Sequence, residues 1–272
     1  MKKWLLPLML IAALLIAGCS DNAGAAGGGQ PSTIDKIVKN KKVVVGIAPG
    51  YFPFEMKDTE GNFIGYDVDL ANAIGESIDV EVEFKQFSFD ALIPALQTGE
   101  IDLSIAGTTI RGDRALAVSF AKPYYKTGQT LMVPSSDTTS KSWEDLDKPG
   151  NKIAVSMGTT GALLAKDLFK NAEVLDFDDF PGASTAVQMG KADAIVYDEP
   201  AIAVWVMQNP DKVRKVEGLI TGENLGIAVK KNDHATVQWL NSFLDSYLES
   251  PAELASREKW FNSGDWLDKV EE

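Results

Sequence analysis

The feature that most constrains the fold is a repeated alternation of short β-branched runs with helical patterns. Residues 42–47 (KVVVGI) are typical of a buried strand that ends at a Pro-Gly turn, and residues 65–78 carry apolar side chains at helical spacing. The same alternation returns between residues 152 and 208. Strands that alternate with helices predict an α/β protein with largely parallel sheets, and two rounds in series predict two such units.

The patterns predict strands at residues 42–47, 80–84, 101–106, 152–156, 174–177, 192–196 and 226–229, and helices at residues 65–78, 89–96, 162–169, 183–189, 201–208 and 236–260. The strand at 226–229 has no unit of its own, so we expect it to return to the first lobe. Connections near residues 124–130 and 219–225 would form a hinge, with a ligand cleft between the lobes. The predicted boundaries are residues 34–126 and 223–272 for lobe 1, and residues 127–222 for lobe 2.

The start of the chain has the composition of a secretory signal. Two lysines precede an apolar run at residues 5–17, and small residues follow immediately before Cys19. Residues 1–18 are therefore interpreted as a signal peptide. The stretch LIAGC resembles a bacterial lipobox, in which the cysteine is lipidated. The alternative is ordinary signal cleavage nearby, which would leave Cys19 as an unmodified thiol.

Residues 19–33 lack aromatic side chains and contain three consecutive glycines. Such a composition is typical of a flexible tether, which would hold the folded part away from the membrane. Cys19 is the only cysteine, so no internal disulfide is possible. The net charge of −13 argues against nucleic-acid binding, which needs a basic face.

Two polar segments follow predicted strands, at the edge of the sheet where α/β proteins bind ligands. In the segment AGTTIRGDR (residues 106–114), Gly107 permits close backbone approach, Thr109 offers a hydroxyl, and Arg114 offers a planar fork for a carboxylate. The alternative is a capped helix start with a surface arginine. Asp198 follows a strand of the second round and could hold an ammonium group, although the same position suits a helix N-cap.

Aromatic side chains and a glycine-flanked loop complete the candidate site. Tyr51 and Phe89 are predicted to line the pocket, whereas Phe52 and Phe54 are predicted to pack in the core, the commoner position of aromatics. The loop GTTG (residues 158–161) contains Thr159 and Thr160 and opens a helix, so its N–H groups could bind an anion. The alternative is a simple N-cap turn. The spacing of a phosphate loop is missing.

Several motifs in series resemble the bacterial solute-binding protein family 3, the polar amino-acid receptors of ABC importers. The family includes glutamine- and lysine/arginine/ornithine-binding proteins. The motifs are FPFEM (52–56), GYDVDLANAI (65–74), IPAL (93–96), AGTTIRGDR (106–114), MGTTG (157–161) and ADAIVYDEP (192–200). The resemblance implies a type II periplasmic-binding-protein fold with two hinge strands. It also implies delivery of a free amino acid to an ABC permease from a lipid-anchored position outside the cytoplasm.

The resemblance assigns a role to each candidate residue. Arg114 matches the arginine that pairs with the ligand α-carboxylate, helped by N–H groups of Thr109 and Thr160. Asp198 matches the acid that holds the α-ammonium, together with the Gly107 carbonyl and the Thr109 hydroxyl. The aromatics that flank the ligand side chain correspond to Tyr51 and Phe89.

Three positions that would govern side-chain selectivity depart from known relatives. Ala48 stands where several relatives carry an aspartate, Ser156 where the glutamine receptor carries a lysine, and Tyr197 where that receptor carries a histidine. A cationic ligand side chain would therefore lack an obvious acid, and the sequence favours an uncharged polar ligand such as glutamine.

Two other functions compete with this hypothesis. Cyclohexadienyl dehydratases resemble this family in fold and loops, but such an enzyme needs a positioned general acid, for which Glu199 and Glu223 are the candidates. A ligand-sensing receptor module is the third possibility; we see no second apolar run long enough to span a membrane. We expect a monomeric binding protein without enzymatic activity, cofactor or metal.

Overall fold

The computed structural model of the chain describes residues 31–270. The strands within them are β1 (Lys42–Ile47), β2 (Met56–Lys57), β3 (Phe63–Ile64), β4 (Glu81–Gln86), β5 (Leu103–Ser104), β6 (Val118–Thr127), β7 (Gln129–Pro134), β8 (Lys152–Ser156), β9 (Glu173–Phe177), β10 (Ala194–Asp198), β11 (Val213–Lys215) and β12 (Glu223–Lys230). The α-helices in the same stretch are α1 (Thr33–Asn40), α2 (Tyr66–Ser77), α3 (Leu92–Thr98), α4 (Arg114–Ala117), α5 (Thr160–Leu168), α6 (Phe180–Gln188), α7 (Glu199–Gln208), α8 (His234–Tyr247) and α9 (Pro251–Arg257). None of these helices is long and apolar enough to cross a membrane.

The strands of the described residues form two five-stranded sheets and a short β2–β3 hairpin. The first sheet has the order β4–β1–β5–β12–β6, in which β1 is parallel to β4 and β5, and β12 is antiparallel to its neighbours. The second sheet has the order β11–β7–β10–β8–β9, in which β8 is parallel to β9 and β10, and β7 is antiparallel to its neighbours. The predicted two-lobed α/β architecture is therefore confirmed.

The chain crosses between the sheets twice, and the two crossings lie side by side. The first runs from β6 to β7 through Gly128, and the second runs from β11 to β12. The Gln129 N–H donates to Thr221 Oγ1 at 3.0 Å, and the Gln129 carbonyl accepts from the Ile220 N–H at 2.7 Å. A Cβ on Gly128 would lie 2.0 Å from the Thr221 carbonyl oxygen, so only glycine allows this approach.

Helix α1 was not predicted, because residues 19–33 were assigned to the tether and the fold was expected to begin at Ile34. The helix begins at Thr33 because Ser32 and Asp35 form a capping box. The Thr33 N–H donates to Asp233 at 2.7 Å, which attaches α1 to the start of α8. Ile37 is fully buried, so the helix contributes to the core.

Three predicted elements differ in their extent. The strand at 101–106 is reduced to β5, because the chain turns at Gly107, where φ is +55°. The helix at 89–96 starts with a 3₁₀ turn at Phe89–Ala91. Pro94 has no N–H to continue an α-helical ladder into that turn. The tail at 236–260 is two α-helices, because Ser250 caps a new helix that has Pro251 in its first turn.

Candidate functional site

A cavity of about 530 Å³ lies between the two lobes, within the size range of small-molecule sites. All eleven residues predicted to contact or select the ligand line it: Ala48, Tyr51, Phe89, Gly107, Thr109, Arg114, Ser156, Thr159, Thr160, Tyr197 and Asp198. The lipidation site Cys19 and the signal peptide at residues 1–18 lie outside the described residues.

Strand order places these residues in two opposing rows. In the first lobe, the carboxyl ends of β5, β1 and β4 lead to Gly107, Ala48 and Phe87. In the second lobe, the corresponding ends of β10, β8 and β9 supply Asp198, Ser156 and Asp178. Because neighbouring strands lie about 4.8 Å apart, each row extends roughly 10 Å from its first to its third strand.

Arg114 lies at the start of α4 and its side chain is buried, with 9% of the residue exposed. Its Nη1 donates to the Thr109 carbonyl and its Nη2 to the Gly158 carbonyl of the other lobe, both at 3.0 Å. The guanidinium lies 5.3 Å from the centroid of the Phe89 ring. Burial lowers the pKa of Arg114 below its usual value. The arrangement excludes the alternative of a surface arginine.

Asp198 ends β10 and occupies the N-cap position of α7, but its side chain does not cap the helix. Its carboxylate instead accepts from the Tyr51 hydroxyl of the first lobe and from the Gln129 amide. With 7% of the residue exposed, burial and, to a lesser extent, the negative charge of Glu223 raise the pKa of Asp198 to about 7. Bonds from Tyr51 and Gln129 and the charge of Arg114 oppose this rise in pKa.

Gly107 brings its backbone against the Tyr51 ring. A Cβ at this position would lie 2.0 Å from Cε1 of Tyr51, and the φ of +55° also disfavours other residues. The Gly107 N–H donates to Asp67 Oδ2 at 2.9 Å, and the Tyr124 hydroxyl donates to the same oxygen at 2.9 Å. The carbonyl of Gly107 is therefore the backbone group left to accept a hydrogen bond from a ligand.

Thr109 and Thr160 belong to a hydrogen-bond network that was not predicted from the sequence. Both the Thr109 and the Thr160 hydroxyls donate to Glu223 Oε2, at 2.7 and 2.9 Å. Gln129 donates to Thr160 at 3.1 Å as well as to Asp198. Thr159 caps α5 by accepting from the Ala162 N–H at 3.1 Å, as its alternative interpretation had it. Gln129 was missed as a site residue, and Glu223 was considered only as a general acid of the enzymatic alternative, because both border the crossings, where no motif marks them.

Aromatic rings from both lobes meet at one side of the cavity. Tyr51 stacks on Phe54 at 4.5 Å and meets the edge of Tyr197 at 5.8 Å. Tyr197 stacks on Phe180 at 4.4 Å, and Phe52 meets the edge of Phe180 at 6.5 Å. Phe52 and Phe54 are buried, as predicted, and Phe52 packs across the lobe boundary.

Two buried carboxyl groups below the cavity were also missed. Glu55 and Asp67 are both 0% exposed, and Glu55 lines the cavity while its Oε2 accepts from the Ala48 N–H at 3.1 Å. Oε1 of Glu55 has no hydrogen-bond partner among residues 31–270. Burial raises the pKa of Asp67 to about 7, and burial together with the charge of Asp67 raises the pKa of Glu55. The motifs around both residues were recognised, but the sequence did not show that the two side chains are fully buried.

The described residues hold no group of three or more His, Cys, Asp or Glu side chains that could bind a metal ion. What the arrangement offers chemically is one guanidinium and one carboxylate on opposite lobes, with hydroxyl, amide and aromatic groups between them.

The chain is similar to known solute-binding proteins in sequence. The model of the family "Bacterial extracellular solute-binding proteins, family 3" matches residues 43–263. A "Probable histidine-binding protein" of Neisseria gonorrhoeae is 34% identical over 92% of both chains. The "ABC transporter glutamine-binding protein GlnH" of Bacillus subtilis is 31% identical over 87% of this chain and 88% of its own length.

A solved structure is also similar. The ancestral amino acid-binding protein AncCDT-1, described as a precursor of cyclohexadienyl dehydratase, superposes with a TM-score of 0.80. It is 38% identical and covers 85% of this chain and 100% of its own. The overall architecture of the two lobes is therefore shared with a protein that binds an amino acid.

Proposed function

The chain belongs to the bacterial extracellular solute-binding proteins, family 3, and from this premise we propose that it captures a free amino acid between its lobes and delivers it to an ABC importer. The curated relatives support this proposal, since one is named as histidine-binding and another as an ABC transporter glutamine-binding protein. Because the named ligands of these relatives differ, they support an amino acid as the class of ligand and do not identify which amino acid it is.

The observation that carries the proposal is the position of Arg114 and Asp198 on opposite walls of one cavity. An amino acid is a zwitterion, and the guanidinium suits its α-carboxylate while the carboxylate suits its α-ammonium. Each opposite charge comes from a different lobe, so a bound ligand would hold the lobes together. Contacts from both lobes to one ligand explain how a hinged protein could close on its ligand.

The remaining groups complete the proposed binding of the amino-acid head. The N–H groups of Thr109 and Thr160 would join Arg114 at the α-carboxylate. The Gly107 carbonyl would accept from the α-ammonium, and so would the Thr109 hydroxyl, which donates its own hydrogen to Glu223. Tyr51 and Phe89 line the cavity and would flank the aliphatic part of the side chain.

We propose binding without catalysis. Of the two candidate general acids, Glu199 pairs with Lys215 and does not line the cavity. Glu223 accepts hydrogen bonds from Thr109 and Thr160, which suits a group that orients two hydroxyls. Because one similar structure is a precursor of cyclohexadienyl dehydratase, that activity is the enzymatic alternative to measure. We expect the purified chain to show only background activity.

Lipidation of Cys19 would hold the monomeric receptor at the outer face of the membrane, beside its permease. Residues 20–32 would then serve as the tether. This proposal rests on the lipobox-like stretch before Cys19 and agrees with the extracellular location in the family description.

Thermal unfolding in the presence of each common amino acid tests the proposed function. A ligand at a hundredfold excess over its dissociation constant stabilises the folded state by about 2.7 kcal/mol. For a domain of this size the melting temperature should then rise by roughly 5–10 °C. Calorimetric titration would confirm each hit. Absence of a shift with all of the amino acids would contradict the proposal.

A further inference from the structure

The charge of the cavity wall is strongly unbalanced. The described residues that line it include one cationic side chain, Arg114, and four carboxyl groups, which belong to Glu55, Asp178, Asp179 and Asp198. If Arg114 and Asp198 bind the head of an amino acid, as proposed above, their charges are matched by the ligand. Asp178 and Asp179 then remain as charged groups for the rest of the ligand, and Glu55, whose pKa is raised by burial, remains as a hydrogen-bonding group.

The surplus acids lie away from the amino-acid head. Asp198 ends β10, whereas Asp178 and Asp179 follow β9, two strands further along the second sheet. Two strand spacings are roughly 10 Å. A side chain that starts at Asp198 and runs across the end of β8 would therefore point its tip toward Asp178 and Asp179.

The local structure leaves these acids able to bind a cation. Asp179 caps α6 through Oδ1, which accepts from the Gly182 N–H at 2.8 Å. Within residues 31–270, Asp178 accepts no hydrogen bond and forms no ion pair. Gln86, which ends β4 of the first lobe, and Ser88, which follows it, also line the cavity and bring no positive charge.

A second, independent observation comes from the floor of the cavity. Glu55 is fully buried, lines the cavity below Ala48, and has one carboxyl oxygen without a partner in the described part of the chain. An unpaired buried polar atom is costly unless a ligand or solvent supplies its partner. A donor from a ligand that passes between the lobes would supply it.

We propose that the ligand is an amino acid with a cationic side chain, such as arginine or lysine, and that Asp178 and Asp179 select its charge at the far end of the cavity. This inference rests on the proposed function and names its substrate class. It replaces the glutamine-like ligand predicted from Ala48. The acid absent at position 48 is supplied from the other lobe and from the floor.

Calorimetric titration of the purified full chain with arginine, lysine, histidine and glutamine tests the inference. Arginine or lysine should bind at least about tenfold more tightly than glutamine, which is the effect of roughly two partly exposed charge pairs. The double variant Asp178→Asn/Asp179→Asn should reduce this preference at least about fivefold and leave glutamine affinity within about threefold. Asparagine keeps the N-cap of α6, so the fold should be retained.

The matched control is Asp167→Asn/Asp211→Asn. It removes the same charge from exposed positions of the same lobe that do not line the cavity, so the preference should be unchanged. If the native chain bound glutamine as tightly as both arginine and lysine, the inference would be overturned but the proposed function would stand. An unchanged preference in the variant Asp178→Asn/Asp179→Asn would have the same consequence. Binding of none of the four would overturn the inference, and the thermal unfolding series with all common amino acids would then decide whether the proposed function stands.

Discussion

The Tyr51 hydroxyl of the first lobe donates a hydrogen bond to the Asp198 carboxylate of the second lobe. The two residues are 147 positions apart in the chain, and Asp198 also accepts from Gln129 at the lobe crossing. The carboxylate is therefore held between both lobes and the hinge. A ligand ammonium that approaches Asp198 would meet an acid that is already oriented, which reduces the entropy lost on binding.

The raised pKa of Asp198 predicts pH-dependent binding. The α-ammonium pairs with the ionised carboxylate, so binding must lower the pKa of Asp198 from about 7 and release a proton. Affinity should fall by up to about tenfold per pH unit below 7 and level off above it. Calorimetry between pH 5.5 and 8 in two buffers of different ionisation enthalpy would measure the released proton.

The raised pKa of Asp198 also makes the stability of the ligand-free protein depend on pH, in the opposite direction from ligand affinity. A carboxyl whose pKa is higher in the folded than in the unfolded state favours folding while it is protonated, and this contribution is lost as the pH rises through about 7.

Asp198→Asn should remove most of the pH dependence of binding. If the variant kept the full slope, Asp67, whose pKa is also raised to about 7, would be responsible instead.

Arg114→Ala should weaken every amino acid ligand to a similar degree, because the guanidinium would contact the shared α-carboxylate. Loss of one partner of a buried charge pair costs about 2–5 kcal/mol, which corresponds to roughly 30-fold or more in affinity. The control is Arg111→Ala, which breaks an exposed pair with Asp113 and should change affinity less than about threefold. A loss below threefold for Arg114→Ala in calorimetric titration would show that another group binds the carboxylate.

Gly107→Ala should damage both stability and binding. The new Cβ would collide with the Tyr51 ring, and the φ of +55° is strained for alanine. We expect a loss of at least about 2 kcal/mol in the free energy of unfolding, measured by denaturant titration. Gly112→Ala is the matched control, since a Cβ there meets nothing within 4 Å. Equal effects of the two substitutions would contradict the proposed contact.

Cys19→Ser should abolish lipid attachment, because the thiol is the atom that would carry the lipid. The protein should then remain unprocessed or leave the membrane fraction. Incorporation of radiolabelled fatty acid into both forms measures this directly. Labelling of the variant at the native level would eliminate the lipoprotein hypothesis.

Local pattern was sufficient to predict the elements that surround the site. The run at 42–47 gives β1 with the predicted ends, because its three valines and Ile47 favour a strand and a Pro-Gly turn follows it. The order of strand and helix predicted two lobes, and the motifs that follow the strands identified Arg114 and Asp198. The two lobes are confirmed, and Arg114 and Asp198 line the cavity, because strand ends and loop motifs are recorded in adjacent residues.

The sequence by itself determined the two α/β lobes, the position of the candidate residues at strand ends, and the family. The tertiary structure alone decided which distant groups share the cavity. Gln129 and Glu223 hydrogen-bond to its lining residues Asp198 and Thr160 across more than 60 positions of chain. The acids at 178 and 179 reach the cavity through the order of strands in the second sheet. Burial and neighbouring charge, which depend on how the lobes meet, raise the pKa of Asp198.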